Sequence, residues 1–278
     1  MSQQNKPYQP IGVFDSGFGG LTVLKEIIKT LPQYDFVYLG DNARAPYGSR
    51  SYETVYQYTL ECVKKLFDQG CELVILACNT ASAKALRSIQ QIDLPKIDPN
   101  KRVLGVIRPT TEVIGQMTKS KHVGILGTAG TVSSGSYIVE IEKFFPELTV
   151  YQQACPQLVP LIENNEAETE GAEFFIEKYV SDLIKQAPDI DAVVLGCTHY
   201  PLIQKQIQKH LPPNVHLLSQ GPIIAESLKK YLALHPEMEQ RCSKNAQLQF
   251  YTTDTTEAFD RAGTKFFGSP IHSKHMHI

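Results

Sequence analysis

The feature that most constrains this chain is a short pattern that occurs twice, ELVILACNTASA at residues 72–83 and DAVVLGCTHYPL at 191–202. In each, an acidic residue (Glu72, Asp191) precedes four apolar residues, then a small one (Ala77, Gly196), then a cysteine (Cys78, Cys197). Uninterrupted apolar runs of this length suit strands buried on both faces of a parallel sheet. After each cysteine, Asn79–Thr80 and Thr198–His199 offer side chains able to cap a following helix. Cys78 and Cys197 are therefore expected at the C-terminal ends of strands, each beside a helix N-terminus. In open α/β sheets that crevice is where ligands bind, and a helix N-terminus favours thiolate over thiol. Two such cysteines point to two acid/base groups facing one substrate. The competing reading is a pair of buried structural thiols, but burial alone does not account for the polar residues that repeat after each.

The rest of the chain extends the repeat. Residues 10–14 read as a strand, followed by the loop Asp15-Ser16-Gly17-Phe18-Gly19-Gly20 and a helix to about Thr30. A dinucleotide fingerprint starting at Gly17 and Gly19 needs a third glycine at 22, where Thr22 stands, so no nucleotide cofactor is expected. A strand at 36–39 leads into GDNARAPYG, a long loop placed to lie over a crevice. The helix expected over 51–69 carries Val55, Thr59, Cys62, Val63 and Leu66 on one face and closes at Gly70. A strand at 73–77, a helix at 80–90 and a strand at 103–107 complete a first α/β set. A second set follows: strand 123–127, a hydroxyl-rich loop from Thr128 to Ser136, strand 148–151, the short piece LVPLIE ending in Glu163, helix 170–186 and strand 192–196. The offsets between the sets, 112 residues at the first strand and 119 at the cysteine strand, nearly agree. The fold class expected is α/β, with two similar Rossmann-like domains in pseudo-twofold symmetry and the active site at their interface. Residues 1–106 plus 221–278 form the first domain and 107–220 the second. The remaining elements (strand 214–219, helix 222–232, strand 247–252, helix 255–266) close the two sets, and residues 1–9 form a disordered leader.

Composition removes several classes. A net charge of −2 argues against nonspecific nucleic-acid binding, which needs a basic surface. No apolar run approaches the ~18 residues of a membrane span, and MSQQNKPYQP lacks the apolar core of a signal peptide. Six cysteines (62, 71, 78, 155, 197, 242) with no CxxC read as cytosolic thiols. His272, His275 and His277 read as a flexible terminus rather than a metal site.

Two thiols from two half-repeats suit a reaction in which one takes a proton from carbon and the other returns one to the opposite face, inverting a stereocentre. Asp15 and His199 are the nearest helpers in sequence, and Ser16, Asn79, Thr80 and Thr198 can hold a carboxylate or an amine, as can helix-start amides. No pyridoxal phosphate, flavin or metal is required. The main rival is a Cys/His hydrolase, but Ala77-Cys78-Asn79 lacks the glycines of a nucleophile elbow, and one nucleophile leaves the second cysteine unexplained. A noncatalytic amino-acid-binding protein is a second rival.

DSGFGGLTV, GDNARAPYG, ACNTASA, ACPQLVPLIE and LGCTHYPL resemble loops of glutamate racemases, in the aspartate/glutamate racemase superfamily, over about residues 11–265. The resemblance implies a cofactor-independent, cytoplasmic and homodimeric enzyme that interconverts L- and D-glutamate for peptidoglycan. A relative acting on aspartate or another amino acid is the nearest alternative. By position, Cys78 and Cys197 become the proton donor/acceptors, with Cys78 serving D-glutamate and Cys197 L-glutamate. Asp15 and His199 assist, with Glu163 near His199, while Asp15–Ser16, Tyr47–Gly48, Asn79–Thr80 and Thr198–His199 contact substrate. Arg44, Pro46, Tyr47 and Gly48 are the candidates for reading substrate length. The sequence departs from the family pattern at Arg108, Thr110 and Gly135, around the connection between the halves.

Overall fold

A computed structural model describes residues 8–278. Most of the leader expected over 1–9 lies outside the described residues. Tyr8 and Gln9 do not behave as leader: Gln249 Nε2 donates to the Tyr8 hydroxyl at 3.0 Å, and the Gln9 amide donates to Ser243 Oγ at 3.2 Å.

The strands in chain order are β1 (Ile11–Asp15), β2 (Phe36–Gly40), β3 (Leu73–Leu76), β4 (Arg102–Gly105) and β5 (His122–Gly127). They continue with β6 (Thr149–Ala154), β7 (Ala192–Gly196), β8 (His216–Leu218), β9 (Leu248–Thr252) and β10 (Ser273–His275). One sheet has the order β10-β9-β2-β1-β3-β4 and the other β6-β5-β7-β8. Every recorded pairing is parallel. The order β2-β1-β3-β4 is repeated as β6-β5-β7-β8, so the sequence echo is a topological repeat and the α/β, two-domain expectation holds. β1, β3 and β7 are buried at every residue, as their apolar runs require. Fully burying such a side chain is worth ~1.5–3 kcal/mol. In each sheet the direction of winding reverses between the first strand of the set and the cysteine strand, β1/β3 and β5/β7. The crevices at those two points are where an open parallel sheet binds ligands.

Local chemistry explains the helices that frame these crevices. Ser51 caps the helix Tyr52–Asp68 by accepting from the Thr54 amide, Val55, Thr59, Cys62, Val63 and Leu66 are buried, and Gly70 turns the chain at φ +88°. The continuous helix expected over 80–90 is broken. Asn79–Lys84 is followed by a short turn, then a wide π-turn at Ile89–Asp93 and a further turn with Pro95 in its first residues. Pro95 supplies no amide to the turn before it, which fits the wide π-turn there, while the first break falls at Ala85, where φ is −112°. The strand expected to reach 107 stops at Gly105, and Ile107–Thr111 is helical. Of the three departures, Arg108 is exposed and pairs with Glu112, Thr110 is fully buried, and Gly135 takes φ +64° ahead of the helix Ser136–Phe144.

The histidine-bearing tail is not the flexible terminus expected. Ser273–His275 extends the six-stranded sheet beside β9, and the Thr253 carbonyl lies 3.2 Å from His275 Nε2. β9 pairs with β2, which carries the C-terminal segment back onto the first sheet.

Candidate active site

Four segments leave the C-terminal ends of β1, β3, β5 and β7, and all reach one cavity of about 100 Å³. They bring Ser16, Cys78, Thr128 and Cys197 into its lining. Tyr47, Gly48, Asn79, Thr80, Glu163, Thr198 and His199 line it as well. The volume is a small fraction of the ~300–1,000 Å³ of drug-sized sites, so the occupant is a small molecule. Among the described residues the lining holds no lysine or arginine. An anion here has to be held by hydroxyls, the Asn79 amide, the His199 ring and backbone N–H groups. Asp15 is the one expected contact residue outside the lining. It is buried behind it, accepting from the Gly17 amide at 3.0 Å and from the Thr198 hydroxyl at 3.5 Å.

The two cysteines have different surroundings. Cys78 is itself the N-cap of the helix Asn79–Lys84, its Sγ accepting from the Ala81 amide at 3.4 Å. Asn79 and Thr80 therefore do not cap, and their side chains are released to reach across the cleft. Ser16 Oγ, not Asp15, is the polar group at Cys78 Sγ, 3.5 Å away. Burial first, then the Asp15 charge, push the Cys78 thiol up to about 12, against the Ser16 and Ala81 hydrogen bonds. The thiolate expected at the helix terminus is thus overridden by desolvation, and Cys78 carries a proton at neutral pH. Cys197 precedes a single 3₁₀ turn, Tyr200–Ile203, with no side-chain cap, so the capping expected of Thr198 and His199 does not occur. Its partner is His199, whose Nδ1 lies 3.8 Å from Cys197 Sγ while Nε2 lies 2.8 Å from Glu163 Oε1. Burial pulls the imidazolium down, but the hydrogen bonds to Cys197 and Glu163 outweigh it and raise His199 to about 10. Burial pushes the Asp15 carboxyl up, with His199 and the Gly20 and Gly17 amides opposing.

Short polar contacts close the halves over the cavity. Thr80 and Thr128 hydroxyls are 2.9 Å apart, the Gly130 amide donates to the Gly48 carbonyl at 2.7 Å, and the Thr22 hydroxyl donates to the Thr198 carbonyl at 2.9 Å. Arg44 does not join them. It is bound to Asp41 and Glu61 and lies 4.1 Å from the Tyr58 ring, so it braces the loop instead of reading the substrate. The Tyr47 hydroxyl also donates to Asp41, leaving ring surface and backbone as what Tyr47 and Gly48 can offer a ligand. Thr128, Cys155 and Val159 line the cavity without having been singled out. For Thr128 the signal was present, since the 112-residue offset places it opposite Ser16.

The glycine loop has a steric reason. A Cβ at Gly19 would fall 2.5 Å from His199 Nδ1 and closer still to Thr198 Oγ1. Gly19→Ala should fold cooperatively yet lower kcat/KM on the order of 100-fold, the scale for displacing a catalytic group by about 1 Å. Thermal melts and turnover rates on the same preparation check it; unchanged kinetics would refute the close packing.

Comparison with known proteins agrees with this geometry. The family model for Asp/Glu/Hydantoin racemase matches residues 11–228. The chain is 40% identical over 270 residues to the glutamate racemase of Geobacter metallireducens, covering 95% of each chain. Glutamate racemase isoform RacE1 from Bacillus anthracis superposes with a TM-score of 0.88 at 33% identity, over 99% of both chains. The Francisella tularensis enzyme, solved in complex with D-glutamate, gives 0.85 at 32%, over 97% of both. A matching family model, a shared fold and identity at this level over nearly the whole length have one explanation: the chain belongs to the Asp/Glu/Hydantoin racemase family.

Proposed function

We propose that this chain is a glutamate racemase that needs no cofactor and interconverts L- and D-glutamate by proton transfer between Cys78 and Cys197. The observation that carries the reading is the delivery of both cysteines, from topologically equivalent strand ends, to one small cavity. In the L-to-D direction the Cys197 thiolate takes the α-proton, and the bonding electrons move into the α-carboxylate as an enediolate. The Cys78 thiol then donates its proton to the opposite face of the carbon. Burial keeps Cys78 protonated, which suits it to the donor role in this direction, and D-to-L conversion requires the opposite protonation pattern. Asp15 assists by raising the basicity of Cys78, and protonated His199, held by Glu163, balances charge at Cys197. Each preorganised donor aimed at the enediolate supplies ~2.7–4 kcal/mol. A turnover near ~10 per second leaves a barrier of about 16 kcal/mol, so several donors must act beside the thiols. Two thiols provide both acid and base, and a lining without lysine offers no amine for a Schiff base. The same reading places the enzyme in the cytoplasm, as a homodimer supplying D-glutamate for peptidoglycan.

Purified protein given L-glutamate, L-aspartate or L-glutamine separately should lose optical activity by circular dichroism with glutamate. The kcat/KM for glutamate should exceed that for aspartate by roughly 100-fold or more, because a site that hydrogen-bonds the distal carboxylate loses those contacts with the shorter acid. In deuterated water the α-carbon should acquire deuterium as racemisation proceeds. Comparable constants for the two acids would reject the substrate, and binding without deuterium uptake would reject catalysis.

A further inference from the structure

Beneath the cavity floor, three buried side chains from distant segments close a ring of hydrogen bonds. Asn79 Nδ2 donates to Gln220 Oε1 at 2.8 Å, Gln220 Nε2 donates to the Tyr137 hydroxyl at 2.8 Å, and that hydroxyl donates to Asn79 Oδ1 at 2.7 Å. Gln220 Nε2 also faces Thr110 Oγ1 at 2.8 Å and the Val106 carbonyl at 3.2 Å. Asn79, Tyr137, Thr110 and Gln220 are all at most 4% exposed.

The ring has a single direction. A backbone carbonyl only accepts, so the Gln220 atom facing Val106 is the nitrogen and the oxygen faces Asn79. Asn79 must then present nitrogen to Gln220 and oxygen to Tyr137. A reversed carboxamide would leave buried groups unpaired, at the cost of an unmade hydrogen bond. One Nδ2 hydrogen of Asn79 goes to Gln220. The other remains for an acceptor in the cavity that Asn79 lines beside Cys78.

We propose that Gln220 is a positioning residue for the racemase reaction, locking the Asn79 carboxamide so that its nitrogen donates to a carboxylate of the bound amino acid. Gln220 stands on the first turn of the helix Gln220–Leu234, far from either cysteine in sequence, and it touches the connection between the two halves through Val106 and Thr110. It therefore ties the direction of a substrate contact to the seating of one half on the other. The inference rests on the function proposed above.

The test is the steady-state kinetics of Gln220→Met, which keeps the length and removes the polar head, together with Tyr137→Phe. Both release Asn79 from its fixed orientation. KM for each glutamate enantiomer should rise about tenfold while kcat changes far less, because the donor serves bound substrate and transition state alike. In an Asn79→Ala background, Gln220→Met should raise KM no further, since its effect passes through Asn79. Tyr137→Phe carries the test where Gln220→Met does not fold. Unchanged KM in the folded variants, a fall in kcat alone, or the same KM factor with and without Asn79 would overturn the positioning role while leaving racemisation intact. Absence of turnover in the wild type would overturn the function and this role together.

Discussion

Cys78→Ala and Cys197→Ala each lose racemisation in both directions, with kcat down by about 1,000-fold, within the ~100- to 10,000-fold that a positioned proton donor or acceptor supplies. Every turnover consumes one base and one acid on opposite faces of the α-carbon, so removing either thiol stops L-to-D and D-to-L conversion alike. The environments differ, Cys78 against Ser16 and Cys197 against His199, yet neither half can substitute for the other because each reaches one face. Cys62→Ala and Cys71→Ala are the controls. Both residues are fully buried, Cys62 under Arg44 and Cys71 beside Gly12, outside the cavity lining. They should keep near-normal kcat and lose roughly 1 kcal/mol of stability, the usual scale for a core truncation. Progress curves from each enantiomer, followed by circular dichroism, decide it. Near-normal turnover in either catalytic variant would end the two-thiol scheme.

The second large effect is directional. His199→Asn should lower kcat for L-to-D conversion by roughly 100-fold or more, and for D-to-L by less, because His199 serves the thiol that attacks L-glutamate. Asp15→Asn should do the reverse through Cys78, with compensating KM changes that keep the overall equilibrium. Glu163→Gln separates charge from shape. It leaves an amide oxygen able to accept from His199 Nε2 but removes the carboxylate charge that helps raise the imidazole to about 10, so the alkaline limb of the L-to-D rate should move to lower pH. The sign for stability follows from the same shift. A histidine raised in the folded state contributes stability that is complete below its unfolded value of ~6.5 and is lost as pH rises through the folded one. Wild type should therefore exceed Glu163→Gln in melting temperature most below about pH 6.5, and the gap should close as pH passes about 10. A common factor on both kcat values in every variant would show that the helpers are not assigned to separate cysteines.

Much of the site is visible in the chain because strand ends are written locally. Four apolar residues followed by a small residue and a cysteine locate β3 and β7, and the 112-residue echo aligns β5 with β1. Since parallel strands bind at their C-terminal ends, the residues after those runs face the crevice, and Ser16, Cys78, Asn79, Thr80, Cys197, Thr198 and His199 all line the cavity. The errors share a cause. Substrate reading by Arg44, helix capping by Asn79 and Thr80, and a loose histidine tail were expected from residue type, and each was overridden by other partners, some in the same loop and others far away in sequence. Arg44 went to Asp41 and Glu61, Asn79 to Gln220 and Tyr137, Thr80 to Thr128, and the tail to β9.

What the sequence determined by itself is the repeated strand-and-cysteine unit and the chemical kinds of group that follow each strand, because backbone periodicity and side-chain identity are local properties. Only the tertiary structure decided which groups meet and which protons they carry. Ser16 rather than Asp15 faces Cys78, the Cys78 thiol keeps its proton despite a helix terminus, and Gln220 reaches Asn79 across 141 residues. Protonation follows desolvation and neighbouring charge, and a hydrogen bond needs its partners at about 3 Å. Both depend on how the two halves close on each other, which no local stretch of the chain encodes.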